Sequence, residues 1–190
     1  MGMKLTPSIL AALQTGRGGV QRPAKLRVLG IDASLRSTGL GIVESAAGAL
    51  RMVDCRPVKN RPGAPLSQCL LNLAETLRTH LAEFKPEEAA MEGIFFCKNA
   101  RTALLLGHAR GVLLSVCAEA GVPVYEYPPT RVKQAVTGTG SATKDQIQRM
   151  MMRVLALPEL PQEDAGDALA IAITHLHTRN GVAALAPKSL

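Results

Sequence analysis

The chain has 190 residues, 47% of them hydrophobic, 3% aromatic and none Trp, which excludes wholesale disorder and points to one domain with a Leu/Val/Ile/Ala core. Its formal charge of +7 and pI near 9.6 make polyanions the natural partner class. Cys55, Cys69, Cys97 and Cys117 offer neither a C-x-x-C pair nor a histidine at finger spacing, so neither a zinc site nor a disulfide framework is suggested and a reduced, cytoplasmic compartment fits.

Residues 1–25 carry Lys4, Arg17, Arg22 and Lys25 and no acid, and Gly16, Gly18, Gly19 and Pro23 interrupt any regular element. They read as a basic, disordered arm, although an acid-free basic leader leaves an organellar address open. Residues 26–178 form the domain, and 179–190 read as a tail.

The domain opens on Leu26-Arg27-Val28-Leu29-Gly30-Ile31-Asp32, an apolar run of strand length that ends on a carboxylate. A run without polar alternation is a strand covered on both faces, and a carboxylate at its end needs a cation or donors opposite. Gly39 to Val43 and Ala49 to Cys55 complete an antiparallel meander, joined through Ser45-Ala46-Ala47-Gly48. Pro57, Pro62 and Pro65 mark a loop. Leu66, Leu70, Leu73, Leu77, Leu81 and Phe84 then step by three and four along an amphipathic helix that Lys85-Pro86 ends. Glu88 to Glu92 is a fourth strand, also finishing on an acid.

A second helix spans about Ala100 to Ala120, with Val124 to Tyr127 a fifth strand after it. His108, Arg110 and Glu119 break the apolar stretch from Ala103 to Tyr125, so it is no ordinary membrane span; Arg110 reads as structural or dimer-related, within an otherwise buried helix. Long helices between strands return the chain in the same direction, so this half pairs in parallel. A short helix over Pro128 to Val136 follows, then a helix capped by Thr143 with Gln146, and a last one from Gln162 to about His177. The expected architecture is α/β: a five-stranded mixed sheet with helices on both faces.

The chemistry lies in four acids. Asp32 and Glu92 each end a strand, and on parallel neighbours they would face one crevice, where open α/β sheets bind ligands. Asp164 and Asp167, three residues apart, share one face of the last helix; Glu163 would face away and serves as a control, a plain helix-start acid. Singly, each acid has an ordinary explanation as a turn or helix-start residue. Together they would repel unless divalent cations neutralise them, and oxygen-rich sites suit Mg²⁺ or Mn²⁺.

Several runs together resemble the RuvC-type Holliday-junction resolvases. They are Leu29-Gly30-Ile31-Asp32 with Ser37-Thr38-Gly39-Leu40-Gly41, the run Met91 to Ala100, Leu106-Gly107-His108-Ala109-Arg110-Gly111, Arg131 through Lys144, and Asp164-Ala165-Gly166-Asp167 through His175. Motif order and spacing hold over about residues 26–178. The resemblance implies an RNase H-like fold and a homodimer that nicks four-way DNA junctions symmetrically in recombination and repair. It further implies branch-migration helicase and junction-binding partners, and no membrane. It makes Asp32, Glu92, Asp164 and Asp167 catalytic acids and metal ligands for two Mg²⁺ ions, with Mn²⁺ an alternative. In such pairs one ion activates the attacking water and the other stabilises the leaving 3′ oxygen.

The resemblance also makes Phe95 an aromatic wedge at the opened junction, where stacking is worth about 1–3 kcal/mol per base. Lys133 and Lys144 become cations near the DNA and the scissile phosphate, Lys144 with a catalytic part. Lys98 and Arg101 add charge for the phosphate backbone. Ala33-Ser34 stands where the family commonly has Pro-Gly, and Gly93 and Gly166 where it often has larger residues.

Three rivals compete. A non-cleaving branched-DNA-binding protein of the same fold would not need all four acids. A phosphotransferase of the actin or sugar-kinase type needs a second Asp-Gly-rich phosphate loop, which the sequence lacks. Gly138 to Lys144 is no P-loop, since Thr143 precedes the lysine and no Ser or Thr follows it.

Overall fold

The structure, a computed structural model, describes residues 25–93, 99–179 and 188–190. Its elements run β1 (Lys25–Asp32), β2 (Ser37–Ala46), β3 (Ala49–Lys59), α1 (Leu66–Phe84), β4 (Glu88–Glu92), α2 (Ala100–Glu119), β5 (Val124–Tyr127), α3 (Pro129–Thr137), α4 (Lys144–Leu155), α5 (Glu163–Arg179) and β6 (Lys188–Ser189). All of the basic arm except Lys25, which opens β1, lies outside the described residues, as do Phe95, Lys98 and most of the tail.

β1, β2 and β3 form the expected antiparallel meander. The β2–β3 hairpin turns on Ala47 and Gly48, both at positive φ (50° and 83°), as a two-residue turn between right-twisted strands requires. β3 runs further than expected and contains Pro57, which faces Gly39, so Pro57 lies in a strand and not in the loop. β3 is the outer strand of the sheet, where a residue without an N–H is tolerated.

The strand order is β3-β2-β1-β4-β5-β6. β1 with β4 and β4 with β5 are parallel, and β6 closes the far edge antiparallel to β5. The five expected strands are present. The last residues add a sixth: Lys188–Ser189 pair with Tyr125–Glu126, and the Leu190 N–H donates to the Val124 carbonyl at 3.0 Å. Residues 188–190 are therefore tied to the edge of the sheet.

Because side chains alternate across a strand, the core divides into two layers. Leu29, Ile31, Leu40, Ile42, Ala89 and Met91 meet α1 and α2 through Leu73, Leu77, Leu113 and Val116. Val28, Val43, Ala90 and Tyr127 meet α3, α4 and α5 through Val132, Met151, Leu169 and Ile173. Helix ends follow the expected chemistry. Lys85 leaves α1 in the left-handed conformation, and the Thr143 hydroxyl accepts from Gln146 N–H while the Gln146 side chain accepts from Thr143 N–H at 2.9 Å.

Two features set the placement of the acids. Gly30 of β1 faces Gly41 of β2, and Asp32 faces Gly39. These glycines form a shallow trough into which the backbone of α5 sinks; a Cβ on Gly30 would stand 1.9 Å from the Ala168 carbonyl oxygen. α2 is long and apolar enough to cross a membrane by length and composition. Only a stripe of it, including Ala109, Arg110, Leu113, Val116 and Cys117, is buried, so Arg110 does not lie in an otherwise buried helix.

Candidate active site

β1 and β4 end side by side. Their parallel register pairs Ile31 with Met91, which brings Asp32 and Glu92 to the same level at the carboxyl ends of adjacent strands. Both side chains emerge on the face covered by α5. The trough of glycines lowers α5 onto that face, so that Asp167 joins them. Asp32, Glu92 and Asp167 line one cavity of about 250 Å³ with Lys133 from α3 and Lys144 from α4. Its remaining wall is apolar: Pro129, Val132, Ile147, Ala170 and Ile171.

The electrostatics are those of crowded carboxylates. Asp32 is pushed up to about 7, first by its burial and then by Asp167, Glu92 and Asp164, with Lys144 pulling the other way. Glu92 is also raised, by burial and by Asp167, against the pull of Lys133 and Arg110. The cavity thus holds more negative charge than its own lysines offset. Among the described residues no three acid, His or Cys side chains form a finished coordination cluster. The donors are nonetheless hard carboxylate oxygens at the mouth of a basic protein, a set that fits Mg²⁺ or Mn²⁺ far better than a soft metal.

Asp164 sits one helical turn before Asp167 and is not part of the cavity wall. Its Oδ2 accepts a hydrogen bond from the Ser37 hydroxyl at the start of β2. Ser37 is in turn fixed by Ser34, whose Oγ accepts from the Ser37 N–H and donates to the Ser37 carbonyl, both at 3.1 Å. Ala33-Ser34 therefore builds a hydrogen-bonded turn that reaches the last helix. At Gly93 a Cβ would come within 3.3 Å of Glu126 Cγ, whereas at Gly166 it would make only ordinary contact with Pro161.

Lys144 donates to Asp167 Oδ2 at 3.1 Å and also to Glu163 Oε1. Glu163 is therefore not the idle control expected of it. Glu163 and Asp167 are four residues apart, hence on one side of α5, and the lysine spans both. Hydrogen bonds to these two acids outweigh the burial that opposes the Lys144 ammonium, raising its pKa, and the same contact lowers that of Glu163.

Arg110 has the structural role expected of it, through partners the sequence does not mark. Its guanidinium donates to the backbone carbonyl of Glu92 and to Glu126 Oε1, the latter at 2.6 Å. It thereby fixes the end of β4 from the opposite face of the sheet. Arg101 lies exposed in the first turn of α2, where Asn99 Oδ1 accepts from its N–H at 2.9 Å, away from the cavity wall. Cys55 and Cys117 are pushed up to about 12, chiefly by burial, and offer no nucleophile.

Residues 28–175 match the family described as crossover junction endodeoxyribonuclease RuvC. A protein of that description from Chloroflexus aggregans is 48% identical over 154 residues, covering 80% of this chain and 94% of its own. One from Pelobacter propionicus is 44% identical over 155 residues, with 82% and 88% covered. The solved structure of T. thermophilus RuvC in complex with Holliday junction substrate is similar at a TM-score of 0.81 and 35% identity, covering 87% of this chain and 99% of that one. A yeast mitochondrial Holliday junction resolvase shares the fold at a TM-score of 0.62 and 12% identity, with 87% and 83% covered. The architecture is thus the RNase H-like one that the sequence resemblance implied.

Proposed function

The chain belongs to the RuvC family of crossover junction endodeoxyribonucleases, and from that premise we propose that it resolves four-way (Holliday) DNA junctions by paired, symmetric nicks in recombination and repair. The observation that carries this reading is the convergence of Asp32, Glu92 and Asp167 on one cavity with Lys133 and Lys144, in a chain of charge +7.

Asp32, Glu92 and Asp167 would hold divalent cations, Mg²⁺ or Mn²⁺, with Asp164 supporting a second ion from the adjacent turn. Bound there, the ions would supply activation of the attacking water and stabilisation of the leaving 3′ oxygen. The protein's own part is positional. Burial and mutual repulsion keep the carboxylates in want of a cation, Arg110 holds the Glu92 backbone, and Ser37 holds Asp164. Lys144 and Lys133 offer positive charge to the phosphodiester, and the apolar wall of Val132, Ile147 and Ile171 limits water. Phe95 would stack on a base unpaired at the crossover, with Lys98 and Arg101 on neighbouring phosphates.

Paired cuts on a nearly twofold junction call for paired sites, hence a homodimer. The exposed side of α2 supports this: Leu104 is 65% exposed, and no described residue lies within 4 Å of a Cβ placed on Gly107 or Gly111. A junction that must first be positioned calls for helicase and junction-binding partners, and reduced cysteines fit a cytoplasmic, nucleoid-associated enzyme.

The test is incubation of the protein with a synthetic four-way junction in Mg²⁺ and in EDTA. Paired nicks at symmetric positions that need Mg²⁺, and that Asp32→Asn and Glu92→Gln abolish without loss of junction binding, are expected. Junction binding without nicking in Mg²⁺ or Mn²⁺ would instead favour the non-cleaving binder.

A further inference from the structure

The Lys144 ammonium and a divalent cation need the same oxygen. Lys144 Nζ lies 3.1 Å from Asp167 Oδ2, and Asp167 is one of the three carboxylates on the cavity. An ammonium on that carboxylate lowers its affinity for any metal ion, because both cations are held by the same lone pairs and repel one another. The lysine also contacts Glu163, which is outside the cavity wall. Glu163 and Asp167 stand at i and i+4 on α5, so their carboxylates are neighbours about 5–6 Å apart at Cβ. Lys144 begins α4, held by the Thr143 capping box, and its side chain is 46% exposed.

We propose that Glu163 is a positioning residue that receives Lys144: as a divalent cation takes Asp167, the ammonium moves wholly onto Glu163 and stays at the mouth of the cavity, where a phosphodiester would meet it. The proposal rests on the nuclease reading above. Without Glu163 the displaced ammonium would have to go into solvent, so breaking its contact with Asp167 would cost more and metal binding would weaken. Glu163 thus lets one site serve two cations in turn, and it keeps the lysine from being lost when the metal enters.

Calorimetric titration of Mn²⁺ into the full chain without DNA tests this, because the readout is metal affinity and not cleavage. Lys144→Met should tighten Mn²⁺ binding about tenfold, equivalent to about 1.4 kcal/mol. Glu163→Gln should weaken it about threefold, and in the Lys144→Met background the same change should have almost no effect, since a double-mutant cycle isolates an action exerted through Lys144. If Glu163 acts only through its general negative field, its effect persists undiminished in the double variant and the proposal is overturned. Asp167→Asn serves as the control. Mn²⁺ affinity left unchanged by this substitution overturns the assignment of Asp167 as a ligand and the proposal together, whereas Asp167-dependent binding that Lys144→Met fails to tighten overturns the proposal alone.

Discussion

A Cβ placed on Gly39 would stand 1.9 Å from the backbone carbonyl oxygen of Asp164, closer than any side chain can approach. The acid-bearing end of α5 is thus seated on the backbone of β2, and the distance from Asp167 to Asp32 depends on residues that carry no chemistry. Gly39→Ala and Gly30→Ala should lift α5 from the sheet, each costing about 1–3 kcal/mol or more through overpacking against backbone. Thermal unfolding would measure that loss. Single-turnover nicking should fall about a hundredfold even where the variant remains folded, since a misplacement of about 1 Å can cost that much.

Arg110 joins the end of β4 to Glu126 from the face opposite the cavity. Arg110→Leu would leave the partly buried Glu126 carboxylate without its cation, at a cost of about 3–5 kcal/mol. Arg110→Lys should recover only part of this, because a single ammonium cannot serve the Glu92 carbonyl and Glu126 in the fork geometry of a guanidinium. Urea unfolding of the two variants separates the outcomes, and full stability in Arg110→Lys would count against the bridging role.

Much of this site could be anticipated from the residues alone. Asp32 and Glu92 stood out because each ends an apolar run, and Asp164 and Asp167 because three residues on a helix share a face. Non-local pairings were invisible. Nothing near Arg110 in the chain marks Glu126 as its partner, and Glu163 is in sequence like any helix-start acid, its partner Lys144 being 19 positions away. Ser37 meets Asp164 across 127 positions. Pro57 reads as a loop residue in sequence because its tolerance in a strand depends on β3 being an edge strand, which is a property of the whole sheet. β6 is too short to carry a period.

Acid stability should have two separate limbs. Burial pushes His80 down to about 4, with Arg56 adding to it and Asp54 opposing. Among the described residues neither of its ring nitrogens has a hydrogen-bond partner, Asp54 Oδ2 being 3.6 Å away. The unfolded chain binds a proton near the ordinary 6.5, so this contribution is whole above 6.5 and is lost as pH falls towards 4. His80→Leu should flatten that limb.

Glu44 forms the other limb. Hydrogen bonds from Lys25 and Arg27, with Arg51 behind them, hold it down at about 2 from an ordinary 4.5. Its contribution is present above 4.5 and disappears as pH falls through 2. Lys25 and Arg51 are largely exposed, so screening limits the effect of Glu44→Gln at neutral pH to about 1 kcal/mol. Melting temperatures recorded from pH 7 to 2 would resolve both limbs, and identical slopes in the variants and the parent would refute them.

The exposed apolar side of α2 predicts a dimer. Leu104→Glu would bury a charge in any interface built on that side, and should shift the protein to a monomer in sedimentation velocity while leaving its melting temperature at low concentration unchanged. A parent chain that sediments as a monomer at micromolar concentration would contradict this arrangement.

The most direct measurement is anomalous diffraction from crystals soaked in Mn²⁺. A peak bounded by the carboxylates of Asp32, Glu92 and Asp167 is expected, and none there in Asp167→Asn crystals. Ordered Mn²⁺ found elsewhere, with none between these three acids at saturating concentration, would contradict it.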